Sequence, residues 1–314
     1  MASILEFIWT NLAQILMFIG LLESATKYTN VEFSNSDGKT LYGYLSTPPN
    51  YDPSLNQSYP VAIVLHAWNG MSEEPTYFAD LIAANGDYVA FAPDLFRGVS
   101  ASETNIPWNI FTVITTPQSR MNYDLDATME YLKTLENVDA STIVSGPGFC
   151  FGGSQALELS KRMSTAATIS LYGSSISDFQ DPNDDETWGM LGSSPILGIY
   201  GADDMAPSVE QANGFEQALI ARNVTYNITI YDGVGHAFVN PDAHKEGNQQ
   251  ATDAWDQVIS YMTSLKAGTL SLALTGPSRR IKNLPMKKRS SYAWIMDHFT
   301  DVMYHKGHAN HFQG

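Results

Sequence analysis

The only cysteine of the chain, Cys150, stands in the pentapeptide Gly148-Phe149-Cys150-Phe151-Gly152, between a strand-like run and a helix-like run. A strand-to-helix turn sharp enough to expose a nucleophile needs small residues two positions before and after it, because larger side chains would clash there. Both positions are glycine, so the pentapeptide predicts a cysteine nucleophile at a tight turn. A small apolar core residue is the alternative for a single buried cysteine.

An acidic residue and a histidine follow Cys150 in the chain order that such an architecture uses. One later strand-like run leads into Asp203 and Asp204, and the next leads into His236. Each lies at the carboxyl end of a predicted strand, where open α/β sheets place their ligand crevice. The order predicts a nucleophile–acid–histidine triad. The alternatives are an aspartate that caps the helix near Pro207 and a histidine on a surface loop.

The elements that must position these residues alternate between strands and helices. Short apolar runs predict strands, and apolar residues at helical spacing predict helices. The predicted strands are two within 28–47, then 59–67, 88–93, the run into Cys150, 166–172, 194–200 and 224–232; the predicted helices are 74–85, 117–136, 152–163, 207–222 and 249–265. This alternation predicts an α/β fold with a doubly wound, mainly parallel sheet.

These segments together resemble the dienelactone hydrolase family, the carboxymethylenebutenolidase-like proteins. The resemblance is carried by Gly-Phe-Cys-Phe-Gly-Gly at 148–153, Gly-x-Asp-x-x-x-Pro at 201–207, Gly-His-x-Phe at 235–238 and Ala-Pro-Asp-Leu-Phe at 92–96. It covers about residues 28–267. The resemblance implies an α/β-hydrolase fold that works without a cofactor or a metal.

The resemblance also implies roles for single residues. The triad would be Cys150, His236 and Asp203, and Asp203 is preferred to Asp204 because it lies four residues before a proline, as in the family pattern. The backbone N–H groups of Phe151 and Trp68 would form the oxyanion hole.

Two positions depart from the family pattern. Archetypal members carry a glutamate, thought to help control the ionisation of the thiol, where this chain has Ala67. They also carry an arginine shortly after the catalytic histidine that holds a substrate carboxylate, and Asn240 stands there in this chain. Together with the acidic body, this argues against a dicarboxylate-like dienelactone as the substrate.

Other side chains near the predicted site have alternative interpretations. His66, whose side chain alternates to the face opposite Ala67, is interpreted as structural or loop-organising. Arg97 and Arg120 are candidates to line the pocket, with surface salt bridges as the alternative. The apolar loop 104–116 is expected either to cap the pocket or to pack against the sheet edge.

Composition divides the chain into three parts. Residues 1–25 are apolar, with no lysine or arginine before the apolar stretch, and are interpreted as an export signal or membrane-associating segment; an amphipathic helix packed on the body is the alternative. Residues 26–267 form the predicted α/β-hydrolase domain. Residues 268–314 are basic and contain histidines, and they are expected to be poorly ordered. The N-terminal segment therefore favours an exported or membrane-associated protein over a cytoplasmic one.

Charge and composition exclude several function classes. The net charge is −16 and the tail is basic, so the body is strongly acidic and repels phosphate backbones, which argues against a nucleic-acid partner. One cysteine excludes an intramolecular disulfide. His305, His308 and His311 recur at a spacing that does not stay on one helix face, so solvated tail histidines are expected rather than a metal site.

The sequence therefore predicts hydrolysis of a small carboxylic ester or lactone through an acyl intermediate on Cys150. One alternative is a thioesterase or acyl transferase that uses the same triad. Another is a non-catalytic binding protein on the hydrolase fold, which would be favoured if the glutamate replaced by Ala67 were essential for thiolate formation.

Overall fold

The computed structural model describes residues 23–55, 57–100, 116–270 and 279–281. The chain divides into two compact units, Met1–Gly146 and Pro147–Gly314, and the predicted domain 26–267 has residues in both. The apolar loop 104–116, apart from Thr116, and almost all of the apolar N-terminal segment lie outside the described residues.

The described residues of the first unit form six strands and two long helices. Its strands are β1 (Glu23–Ser24), β2 (Val31–Ser34), β3 (Thr40–Ser46), β4 (Tyr59–Leu65), β5 (Val89–Pro93) and β6 (Val99–Ser100), and its helices are α1 (Glu73–Gly86) and α2 (Gln118–Lys133). β4 pairs with β5 in parallel, β5 with β3 and β3 with β2 antiparallel, and β1 with β6 antiparallel. Every residue of β4 and β5 is buried, as predicted for strands covered on both faces.

Strand β7 (Val138–Phe149) passes from the first unit into the second and ends at the residue before Cys150. The second unit continues with α3 (Phe151–Arg162), β8 (Ala167–Leu171), α4 (Asp185–Trp188), β9 (Ile196–Gly201), α5 (Val209–Ala221), β10 (Tyr226–Tyr231), α6 (Pro241–Lys245), α7 (Gln249–Lys266) and β11 (Arg279–Ile281). β8, β9, β10 and β11 pair in that order, all in parallel. The predicted α/β architecture with mainly parallel strands is confirmed.

The core of the second unit packs on the strands that end at the functional loops. Phe179, Trp188 and Phe215 form an aromatic cluster whose ring centroids lie between 5.4 and 6.1 Å apart. Tyr200 of β9 and Ile230 of β10 belong to the same buried cluster. Burying one large apolar side chain contributes roughly 1.5–3 kcal/mol, so this cluster fixes the strands whose ends carry the site.

The tail differs from its prediction where the structure describes it. Arg279–Ile281 forms β11, whose backbone pairs with Thr229, Ile230 and Tyr231 of β10. The expectation of a poorly ordered tail is therefore wrong for these three residues, while tail residues 271–278 and 282–314 lie outside the described part. No helix among the described residues is both long and apolar enough to cross a bilayer.

Candidate active site

Cys150 occupies the predicted sharp turn between β7 and α3. Its backbone has φ 57° and ψ −115°, a conformation that side-chain-bearing residues rarely adopt and that occurs at functional sites. A Cβ atom on Gly148 would collide with the carbonyl oxygen of Gly152, so the turn requires glycine at 148. The N–H of Cys150 donates to the carbonyl of Leu171 at 3.0 Å, which anchors the turn to the end of β8.

Helix α3 starts directly after the cysteine. Phe151 is its first residue, and the first N–H groups of a helix have no acceptor within it. The partial positive charge at this helix end favours an anion nearby, including a thiolate at Cys150. The N–H of Phe151 stays the predicted oxyanion donor.

His236 is held by Asp204 at the ends of two parallel strands. Nδ1 of His236, in the loop after β10, lies 2.8 Å from Oδ2 of Asp204, in the loop after β9. Both side chains are almost completely buried. The other oxygen of Asp204 accepts from the N–H of Ala206 at 3.0 Å, which sets the orientation of the carboxylate.

The prediction of Asp203 as the acid that bonds the histidine is wrong. The N–H of Asp203 donates to the carbonyl of Val234 at 2.9 Å, and it is the next side chain, Asp204, that meets the imidazole. Asp204 is buried, whereas Asp203 is half-buried. Neither aspartate is the N-cap of α5, because Ser208 and Gln211 cap that helix reciprocally. The helix-cap alternative is therefore also wrong.

The pKa of His236 depends on the groups around its imidazole. Burial lowers this pKa, but the negative charge of Asp204, the electrostatic effect of Cys150 and the hydrogen bond to Asp204 outweigh burial, so the pKa lies well above 6.5. Nε2 has no fully formed hydrogen bond among the described residues. The imidazole therefore has one nitrogen fixed by a carboxylate and the other beside the thiol, with an open position for a proton transfer.

Sequence reasoning missed Tyr172, which touches the histidine from the end of β8. Its ring centroid lies 5.1 Å from that of His236 and 6.0 Å from that of Phe238. Its hydroxyl donates to the carbonyl of Val239 at 2.8 Å. The Tyr172-Gly173 pair after an apolar strand was the available signal, but a core tyrosine is its ordinary interpretation.

Asn240 serves the histidine loop rather than the open site. Its Oδ1 accepts from the N–H of Ala243 at 2.9 Å as the N-cap of α6, and its Nδ2 donates to the carbonyl of Ala237 at 3.0 Å. Ala237 has a positive φ of 56°, so this hydrogen bond closes a tight turn directly after His236. The amide is thus engaged at both ends within its own loop.

In the first unit, His66 has the loop-organising role that the sequence indicates. Its Nε2 accepts from the N–H of Leu95 at 3.2 Å, and its Nδ1 lies 2.7 Å from the carbonyl of Ala67, so the ring is neutral with its proton on Nδ1. Burial lowers the pKa of His66 to about 4. Trp68 follows in the same buried loop, and its role as an oxyanion donor stays a prediction.

The two arginines form part of an ionic cluster around the loop after β5. Arg97 makes two hydrogen bonds to the buried carboxylate of Asp124, at 2.7 and 2.8 Å. Arg120 donates to the carbonyl of Leu95 at 3.3 Å and to the hydroxyl of Thr116 at 3.0 Å. Asp124 is 2 % exposed, so the pair is buried on its acidic side and is not the surface salt bridge of the alternative interpretation.

Asp94 closes the same loop by accepting from the N–H groups of Phe96 and Gly98. Burial raises its pKa to about 6, against the opposing effect of those hydrogen bonds and of Arg120. The described residues contain no group of three side chains placed to hold a metal ion, and the tail histidines lie outside them.

Residues 41–265 match the model of the Dienelactone hydrolase family. A Yersinia pestis protein provisionally named carboxymethylenebutenolidase is 27% identical over 237 residues, which cover 73% of this chain and 85% of that protein. A Bradyrhizobium protein provisionally named 2-oxo-3-(5-oxofuran-2-ylidene)propanoate lactonase is 24% identical over 235 residues, which cover 72% of this chain and 90% of that protein.

Solved structures show the same fold. A Klebsiella pneumoniae protein described provisionally as a dienelactone hydrolase superposes with a TM-score of 0.60 at 24% identity, covering 74% of this chain and 97% of its own. A propionate-bound thermophilic esterase from Thermogutta terrifontis superposes with a TM-score of 0.58 at 15% identity, covering 78% of this chain and 96% of its own.

Proposed function

The chain belongs to the dienelactone hydrolase family and is a hydrolase of a lactone or ester bond, and we propose that it works through Cys150, His236 and Asp204. The observation that carries the proposal is the buried His236, bonded to Asp204 on one nitrogen and beside Cys150 with the other. A buried histidine without an acidic neighbour would be neutral and would not favour a thiolate.

The acid–histidine pair supports a route to the thiolate that does not require a glutamate at position 67. The raised pKa of His236 and the carboxylate of Asp204 beside it support transfer of the Sγ proton to the imidazole, with Asp204 stabilising the resulting cation. The thiolate lies at the start of α3, where the helix end favours negative charge. The same argument weighs against the non-catalytic alternative.

The proposed reaction has two balanced halves. Sγ attacks the carbonyl carbon, a C–S bond forms, and the carbonyl π electrons move to the oxyanion, which the N–H group of Phe151 is proposed to stabilise. Collapse breaks the C–O bond, and the leaving alkoxide takes the proton from Nε2 of His236. A water then gives a proton to Nε2 and attacks the acyl carbon. The C–S bond then breaks, the carboxylic acid leaves, and the thiolate paired with protonated His236 is restored.

The proposed substrate is a neutral ester or lactone. Asn240 is uncharged, and its amide caps α6 and closes the histidine loop, so this side chain does not replace an arginine that would hold a substrate carboxylate. The acidic charge of the chain also disfavours accumulation of anionic substrates.

The experiment compares wild type with Cys150→Ala on a panel of aryl esters and neutral and carboxylated lactones. Because Cys150 is the only cysteine, iodoacetamide labelling followed by mass spectrometry reports on the proposed nucleophile alone. We expect turnover in wild type only, one adduct, and inactivation in step with adduct formation. Full turnover by Cys150→Ala together with no adduct on wild type would refute the mechanism.

A further inference from the structure

Tyr172 joins the nucleophile turn to the histidine loop. It follows β8 directly, and the carbonyl of the preceding residue, Leu171, accepts the N–H of Cys150. On its other side, Tyr172 contacts the ring of His236 and donates from its hydroxyl to Val239. One side chain therefore spans from the strand end that holds the thiol to the loop that holds the base.

The backbone of Tyr172 is fixed in an unfavourable conformation. Its φ is 43°, in the left-handed region that bulky residues rarely occupy, and such conformations persist where the surroundings determine them strongly. Its N–H donates to the carbonyl of Ile199 in β9 at 2.8 Å. The ring is fully buried. The tyrosine therefore has little freedom to move independently of its two neighbours.

The residue after Tyr172 ties this turn to α3. A Cβ on Gly173 would lie 2.7 Å from the backbone nitrogen of Ser154, so the two backbones are in close contact. The hydroxyl of Ser154 accepts from the N–H of Ser175 at 3.1 Å. The Tyr172 turn is thus packed against the first turn of the helix that Cys150 begins.

We propose that Tyr172 is a positioning residue that holds the imidazole of His236 beside the thiol of Cys150, through its hydroxyl bond to Val239 and its ring contact. This inference rests on the proposed roles of Cys150 and His236. Tyr172 takes no proton in this scheme and acts through His236. Its effect is to keep Nε2 at a distance from Sγ that allows proton transfer, which depends steeply on geometry.

Tyr172→Phe tests the proposal, since it removes the hydroxyl and keeps the ring. We expect kcat to fall about three- to tenfold with KM within twofold, as for the loss of one hydrogen bond that acts on the reaction geometry. We also expect the midpoint of the pH profile for iodoacetamide labelling of Cys150 to rise by about half a unit, because a looser imidazolium stabilises the thiolate less.

Tyr231→Phe is the matched control. The ring of Tyr231 also contacts Phe238, but its hydroxyl bonds Gln257 in α7 rather than the histidine loop. Tyr231→Phe should leave kcat within about twofold of wild type. The pH midpoint of labelling should stay within about 0.2 units, roughly the scatter of such measurements. Thermal unfolding of both variants controls for the general loss of a buried hydroxyl.

Equal kcat values and labelling midpoints in the Tyr172 and Tyr231 variants would overturn the inference. The proposed function fails by a different result, namely turnover by Cys150→Ala. A wild type that depends on Cys150 and His236 but not on the hydroxyl of Tyr172 therefore refutes the positioning role alone.

Discussion

His66 and His236 are two buried histidines at the ends of parallel strands, and their surroundings give them opposite protonation. His66 bonds the backbone at Ala67 and Leu95, and burial lowers its pKa to about 4, so it stays neutral and organises a loop. His236 is equally buried, but Asp204 and Cys150 raise its pKa well above 6.5. Burial alone makes an imidazole a structural group, and an acidic partner turns the same group into a base.

The largest expected effect separates the two histidines by activity. His236→Gln should lower kcat/KM by roughly 10³-fold or more, because it removes the proposed general base. The free energy of unfolding should also fall, because glutamine leaves the buried carboxylate of Asp204 without its cationic partner. Steady-state kinetics with an aryl ester and urea unfolding measure the two quantities.

His66→Gln is the counterpart in this comparison. It leaves the N–H of Leu95 and the carbonyl of Ala67 poorly bonded, which should cost about 1–3 kcal/mol in the free energy of unfolding. If His236→Gln is active, or if His66→Gln has wild-type stability, the assignment of His236 as the base and of His66 as a structural residue is wrong.

The second prediction tests which aspartate makes His236 different. Asp204→Asn should lower kcat roughly 10²- to 10⁴-fold, since an amide cannot stabilise the imidazolium and favours the wrong tautomer. Asp203→Asn is the isosteric neighbour and should stay within a few-fold of wild type. A larger loss at 203 than at 204 would return the role to the residue that the family spacing indicates.

The third prediction concerns the pH dependence of stability, to which the two histidines contribute with opposite sign. In the unfolded chain His66 binds a proton below about pH 6.5, whereas in the folded chain it does so only near pH 4. Acidification over this range therefore lowers the free energy of unfolding by up to about 3 kcal/mol. For His236 the folded pKa is the higher one, so its contribution is present below pH 6.5 and is lost as pH rises through the folded value.

Urea unfolding of wild type, His66→Gln and His236→Gln across pH 4–9 measures both slopes as differences between proteins. Differences are needed because Asp94, whose pKa is raised to about 6, stabilises the fold on acidification and offsets His66 in the wild-type curve. If His66→Gln parallels wild type between pH 4 and 6.5, the neutral buried state of His66 is wrong.

The smallest effect concerns the loop that carries His236. Asn240→Ala removes the cap of α6 and should cost about 1 kcal/mol in stability, with a few-fold fall in kcat because the turn at Ala237 loosens. Asn248→Ala removes the equivalent cap of α7 and should cost the same stability without the fall in kcat. Identical kinetics in both variants would remove Asn240 from the support of the histidine.

The sequence predicted those parts of the site that backbone sterics determine. Gly148 and Gly152 around Cys150 mark a turn that other residues cannot make, and His236 follows an apolar strand with a clear end. The choice between Asp203 and Asp204 was not available from sequence, because both lie in one turn after β9. The turn is held by a bond from the N–H of Asp203 to the carbonyl of Val234, 31 positions further along the chain, and such a contact between loops cannot be read from local sequence.

Tyr172 shows a second limit of sequence reasoning. An apolar strand that ends in Tyr-Gly is typical of many cores, and nothing local marks the tyrosine as a neighbour of His236. The contact arises because β8, β9 and β10 are adjacent and parallel, so their carboxyl ends converge. Sequence motifs identify residues that act within one turn. Residues that meet across the ends of neighbouring strands can be identified only once the order of the strands in the sheet is known.

The three residues of β11 have a consequence for solubility. A parallel strand at the border of a sheet leaves a row of unpaired backbone groups that can recruit strands from other molecules. Arg279–Ile281 covers that row along Thr229–Tyr231 of β10. Shortening the chain to Gly268, which looks harmless because the last described helix, α7, has ended, would uncover a hydrogen-bonding template. We expect the shortened protein to aggregate during purification even though every residue of the proposed triad is retained.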